Sequence, residues 1–174
     1  MSLSRRPGPL SEPASLPRRR PLASAVGAVL VCVLLGAAGG LLTAPAIEGW
    51  YATLTKPSFN PPNWVFGPVW TVLYTLQGLA VWLLWRRDTE RRAVRIAIAL
   101  FCIQFVLNLA WSPAFFGLQS PALGLVVIVP LWAAIVATIE AAWRVDRRAS
   151  LLLVPYALWV TFAAILNYAI WMLN

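Results

Sequence analysis

The stretch from Trp50 to Trp85 reads WYATLTKPSFNPPNWVFGPVWTVLYTLQGLAVWLLW. Its first third is polar and rich in proline. The rest is apolar for about 20 residues, the length that crosses a hydrocarbon core roughly 30 Å thick. Trp64, Phe66, Trp70 and Tyr74 crowd the junction, and Lys56 is the one basic residue on the approach. A plain membrane anchor needs no such crowding. The run reads as an aromatic lid and mouth leading into a buried pocket.

The rest of the chain agrees with a membrane setting. Hydrophobic residues make up 60% of its 174 residues, charged residues only 11%, and ten are tryptophan. A soluble domain would be about 25% charged. Five apolar blocks are long enough to span a bilayer: residues 21–44, 61–85, 93–116, 121–143 and 150–173. Helix is the expected state, because an open sheet leaves backbone groups unsatisfied in lipid. A barrel would show short alternating strands, and these blocks are continuously apolar. No internal repeat is visible, so an inverted-repeat transporter is not supported. The expected fold is therefore an all-α membrane protein, a five-transmembrane-helix bundle over residues 21–174. Residues 1–20 hold four prolines and five arginines with no apolar period, and read as a disordered basic tail.

Charge distribution tests the count of five. Thirteen arginines fall in the tail, in the loop from Arg86 to Arg95 and in the loop from Arg144 to Arg148. Five spans put all three regions on one side, and Lys56 alone on the other. The positive-inside bias then places the N-terminus inside and the C-terminus outside. Arg18–Arg20, an apolar stretch and Ala44-Pro45-Ala46 have the outline of a secretory signal. The apolar stretch exceeds the 7–15 residues of a signal core, so the block is read as a retained helix.

The net charge of +8 is not a nucleic-acid footprint, since the arginines mark segment ends rather than a basic stripe interleaved with aromatics. Cys32 and Cys102 lie inside apolar blocks and read as small hydrophobes. There is no histidine, which removes imidazole metal ligation and imidazole acid–base chemistry. No metal site, phosphate loop or deep carboxylate pair is present. Glu140 is the one acid inside an apolar block, and Arg144 four residues on explains it as an ion pair. Pro68, Pro113, Pro130 and Pro155 each remove a donor and favour kinks or cavities.

Helical spacing groups the polar and aromatic residues. Trp70, Tyr74 and Gln77 share a face of the second block. Gln104, Asn108, Trp111 and Phe115 share a face of the third, and Tyr156, Trp159, Ala163 and Asn167 a face of the fifth. At about 1.5 Å per residue, Trp70, Asn108 and Ala163 all lie roughly 14–15 Å from the Lys56 end. An aromatic ring, an amide and a small side chain at one level describe a flat apolar cavity with one hydrogen-bonding group. Packing offers a second reading. Trp64, Trp85, Trp111, Trp143 and Trp171 sit near block ends, as an interfacial belt would. Gln104 and Asn108 could equally join neighbouring helices, typically for about 0.6–2 kcal/mol.

The run Trp50-Tyr51, Leu54-Thr55-Lys56-Pro57, Pro61-Pro62, Trp64-Val65-Phe66-Gly67-Pro68-Val69-Trp70-Thr71 and Leu73-Tyr74 resembles the tryptophan-rich sensory protein family, whose eukaryotic relatives are the translocator proteins, or peripheral-type benzodiazepine receptors. Leu107-Asn108, Trp111-Ser112 and Phe115-Phe116 look like its second motif, and Pro155-Tyr156, Trp159 and Leu166 its third. The resemblance covers residues 22–174. It implies a five-helix bundle, often a homodimer, that binds porphyrins such as protoporphyrin IX or haem as ligands and requires no cofactor. It also implies a ligand site of Trp50, Trp64, Trp70, Tyr74, Asn108, Trp111, Trp159 and Ala163, with Trp50–Asn63 as the lid.

The function it implies is a membrane receptor or sensor for a tetrapyrrole in a bacterial cell membrane. One alternative is light- and oxygen-dependent porphyrin degradation, with Trp70 and Trp159 as the catalytic residues. Another is transport of tetrapyrroles or lipids. Sterol recognition is not implied. The animal pattern requires Lys or Arg soon after a tyrosine, and Tyr168 is followed by Ala169-Ile170-Trp171-Met172-Leu173-Asn174.

Overall fold

A computed structural model describes residues 20–174. The tail expected over residues 1–20 lies outside the described residues except for Arg20. Five long helices follow: α1 (Pro21–Glu48), α2 (Asn63–Trp85), α3 (Arg92–Ser112), α4 (Pro121–Trp143) and α5 (Arg147–Leu173). Each is long and apolar enough to cross a membrane. No strand occurs among the described residues. The five-helix expectation is met, with block ends shifted by a few residues. The first helix, α1, runs past its expected end, through Pro45 to Glu48.

The helix starts follow local chemistry. Pro21 and Pro121 open α1 and α4, where the missing N–H would have no partner anyway. The Ser120 hydroxyl accepts from the Leu123 N–H at 3.3 Å. Asp146 caps α5, accepting from the Arg148 N–H at 3.0 Å. Its other carboxylate oxygen accepts from Nε and Nη2 of Arg87. That pair joins the two arginine-rich loops and is invisible as a local pattern. Glu140 and Arg144 form the expected ion pair, largely exposed.

Proline and glycine set the interior. After Pro113, α3 widens into a π-helical turn, Pro113–Gly117, in which the Leu118 N–H reaches the Pro113 carbonyl at 2.9 Å. Such turns insert an extra residue and swing the following side chains. Phe115 is thereby buried among Trp50, Tyr51 and Trp111.

Two glycines let α1 lie on α2. A Cβ on Gly78 would stand 2.5 Å from Val29 Cα, and one on Gly36 would stand within the Tyr74 ring contact surface. Gly39 and Gly40 lie on the same helix, but a Cβ on either would meet nothing within 4 Å. They border open space instead.

The core lies between the helices in three connected patches. One holds Cys32, Tyr74, Phe101 and Phe105, a second Leu73, Ile128, Ile135 and Tyr156, and a third Tyr51, Phe115, Leu166 and Ile170. At mid-bundle the Gln104 Nε2 donates to Gln77 Oε1 at 3.2 Å, joining α3 to α2. Gln104 is therefore an interhelical tie, as the packing reading allowed.

Candidate ligand cavity

A cavity of about 530 Å³ lies between α1, α2, α3 and α5, towards the Lys56 end. Its size falls within the roughly 300–1,000 Å³ of small-molecule pockets. Trp70, Tyr74, Asn108, Trp111, Trp159 and Ala163 all line it. The equal depths worked out from helical rise correspond to one shared space. No charged side chain among the described residues is part of its lining.

The walls are flat rings held by other rings. Trp70 stacks on Tyr74 with centroids 5.4 Å apart and planes 27° apart. Trp111 stacks on Phe115 at 5.2 Å, and Trp159 meets Phe66 edge to face at 5.9 Å. Polar groups are few and mostly tied. The Tyr74 hydroxyl donates to Asn108 Oδ1 at 2.7 Å, fixing the amide across the α2–α3 gap. The Trp111 indole N–H donates to Asn167 Oδ1 at 3.2 Å, and Asn167 Nδ2 donates to the Pro121 carbonyl at 2.8 Å. The Trp159 indole N–H is buried without a hydrogen-bond partner. A buried donor left unpaired costs about 1–3 kcal/mol.

The lid residues close one end. Trp50–Thr53 forms a single helical turn, from which Tyr51 reaches the cavity. The Tyr51 hydroxyl donates to Asn60 Oδ1 at 2.8 Å. Lys56 Nζ lies 4.8 Å from the centre of the Tyr51 ring and donates to the Leu54 carbonyl at 3.1 Å. The far end of the lid is tied to α5: the Thr55 N–H donates to Asn174 Oδ1 at 2.9 Å, and Asn174 Nδ2 returns a bond to the Thr55 carbonyl at 3.0 Å. A side opening remains between α1 and α2, where Gly40, Leu41, Gly67 and Thr71 are exposed and lining.

Two residues expected in the site are elsewhere. Trp50 packs edge to face on Phe115 at 5.6 Å, behind the cavity wall. Trp64 is 75% exposed and does not line the cavity, because the first turn of α2 points it away from the bundle. Trp111 departs from the belt reading in the opposite direction, since it lies in the cavity wall. Trp82, near the arginine-rich end of α2, is tied into the bundle. Its indole N–H donates to Ser24 Oγ at 3.1 Å, tying α2 to the start of α1.

Gly36 and Asn167 carry more of the site than spacing indicated. Gly36 leaves room for the Tyr74 ring, and Asn167 locks Trp111. The sequence signals were present, a glycine among larger apolar residues and an amide on the Trp159 face, but neither names its contact.

Five apolar helices around an aromatic, uncharged cavity with a tied polar lid define an integral, multi-pass membrane protein built around a small-molecule-sized space. The chain belongs to the TspO/MBR family, whose model matches residues 28–172. It is 48% identical to the tryptophan-rich protein TspO of Chlorobaculum tepidum over 83% of this chain and 91% of that protein. It is 41% identical to the translocator protein of Homo sapiens, over 70% and 73% of the two chains. It is 36% identical to the tryptophan-rich sensory protein of Cereibacter sphaeroides, over 83% and 91%.

Proposed function

We propose that the protein is a membrane receptor for a tetrapyrrole, protoporphyrin IX or haem, held in the cavity between α1, α2, α3 and α5. The carrying observation is the pairing of flat ring walls with an uncharged lining. Stacked and edge-on aromatic contacts favour a broad, planar, polarizable ligand. The macrocycle lies between Trp70 and Trp159, with Asn108 as its polar contact. The unpaired Trp159 N–H is a donor for a ligand acceptor. Acidic substituents belong at the side opening, because the depth offers no cation to pair them. The sensory and translocator names of the relatives fit a ligand-responsive role. The arginine-rich end faces the cytoplasm of a bacterial cell, and the lid faces the other side.

Titrating the purified protein with protoporphyrin IX tests this reading. Tryptophan fluorescence is quenched in a saturable way. The double variant Trp70→Phe, Trp159→Phe shifts the curve to higher ligand concentration. Superimposable curves for the double variant and the parent overturn the cavity assignment.

A further inference from the structure

A second space lies outside the cavity. A groove of about 710 Å³ runs between α1, α2 and α3 in the arginine-rich half of the bundle. Its floor on α1 is Ala23, Gly27, Ala28, Val31 and Leu35, and its walls include Val81, Trp85, Phe101 and Phe105. It exists because α1 packs mainly on α2, at the Gly78 crossing, and touches α3 much less. Gly27 deepens it, since a Cβ there would meet nothing within 4 Å.

Two features choose an occupant. The lining is almost wholly apolar and opens towards the bilayer, yet it carries one charged side chain, Arg20, at its end. In sequence Arg18 and Arg19 precede it. From Arg20 to Leu35 the floor runs about 22 Å at helical rise. One leaflet contributes about half of a hydrocarbon core of roughly 30 Å. The groove is thus long enough for a whole acyl chain starting at headgroup level, with a guanidinium where the phosphate sits. Arginine matches phosphate with a fork of donors, and Trp85 supplies the amphipathic ring common at that level.

We propose that this groove binds one anionic phospholipid, its chain against Gly27 and Val31 and its phosphate on Arg20. The site is separate from the ring-lined cavity and does not depend on what fills that cavity.

The experiment uses the full chain in detergent and native mass spectrometry, with two lipids of identical chains, a phosphatidylglycerol and a phosphatidylcholine. The expected result is one phosphatidylglycerol retained at about fivefold lower concentration than phosphatidylcholine, the ratio given by about 1 kcal/mol for one basic residue at a membrane surface. Arg20→Gln removes that preference but leaves chain binding. Gly27→Phe fills the groove and lowers retention of both lipids. Cys102, exposed on the groove wall, reads the same site. Its alkylation slows when phosphatidylglycerol is added to the parent and not to Gly27→Phe. Equal retention of the two lipids by the parent overturns the proposal, as does a preference that survives Arg20→Gln. So does a doubled mass without lipid that Gly27→Phe abolishes, which would place a second copy of the chain on this face.

Discussion

The Tyr74 hydroxyl and the Asn108 side-chain oxygen are 2.7 Å apart, deep between α2 and α3, and each fixes the other in the cavity wall. The bond holds the amide in place and keeps the Tyr74 ring stacked under Trp70. Asn108 is thus both the interhelical tie that packing predicts and one of the cavity's polar points.

Tyr74→Phe removes the donor and strands a buried acceptor. Loss of such a partner costs about 1–3 kcal/mol, whereas replacing both partners by apolar groups costs less. Thermal unfolding in detergent will show a lower midpoint for Tyr74→Phe than for the parent. Tyr74→Phe with Asn108→Leu will recover part of the loss. A double variant less stable than the sum of its singles would contradict this account of the bond.

Gly36 and Gly39 lie three residues apart on α1 but answer different demands. A Cβ on Gly36 would collide with the Tyr74 ring, whereas one on Gly39 meets open space. Gly36→Ala will displace Tyr74 and lower stability and, under the proposed receptor function, protoporphyrin IX affinity, the latter on the order of tenfold for a shift worth about 1.4 kcal/mol. Gly39→Ala will leave the unfolding midpoint within about 0.5 kcal/mol of the parent, as expected of a substitution that meets no neighbour. Paired unfolding and quenching curves separate the two cases.

Asp146 gives the bundle a dependence on acidity. Burial alone would raise its pKa. The Arg87 hydrogen bonds, the backbone donors of Arg148 and Ala149 and the Arg87 charge outweigh burial and hold the carboxyl below its ordinary value. A depressed carboxyl stabilises the fold fully above its unfolded value of about 3.9, and that contribution disappears as pH falls through the folded value. Asp146→Asn will lose on the order of 1–3 kcal/mol at neutral pH, the worth of a charged hydrogen bond. It will also flatten the acid limb of the stability profile below about pH 4. An unchanged acid limb would assign the effect to other groups.

The lid is tied to α5 by the Thr55–Asn174 pair. Asn174→Ala breaks both bonds and leaves the cavity wall intact. Hydrogen exchange at the Thr55 amide will accelerate, since an amide's protection follows the free energy of local opening, and under the proposed receptor function protoporphyrin IX will leave the cavity several-fold faster in stopped-flow displacement. Faster amide exchange with an unchanged release rate would show that ligand leaves by the side opening instead.

Much of the site is legible in the sequence. Trp70, Tyr74, Asn108, Trp159 and Ala163 follow from helical spacing and depth counted along three spans, because rise per residue is fixed. Rotation about the helix axis was less legible. Lipid and protein interior are both apolar, so a membrane helix lacks the polar stripe that tells a soluble helix which way to face. Trp64 and Trp111 show the consequence: both sit near helix ends, and one faces out while the other lines the cavity.

By itself the sequence determined the five spans, the one-sided distribution of arginine and the depth at which aromatic and amide side chains meet. Length, charge and rise are local quantities, and each can be counted along a chain. The tertiary structure alone decided which glycine faces a ring and which borders open space. It also decided that the π-helical turn after Pro113 brings Phe115 under Trp111, that Asp146 pairs with Arg87 across two loops, and that α1 stands away from α3 to leave a groove ending at Arg20. Each depends on how two helices approach, which close-packed side chains settle between them and no single helix specifies.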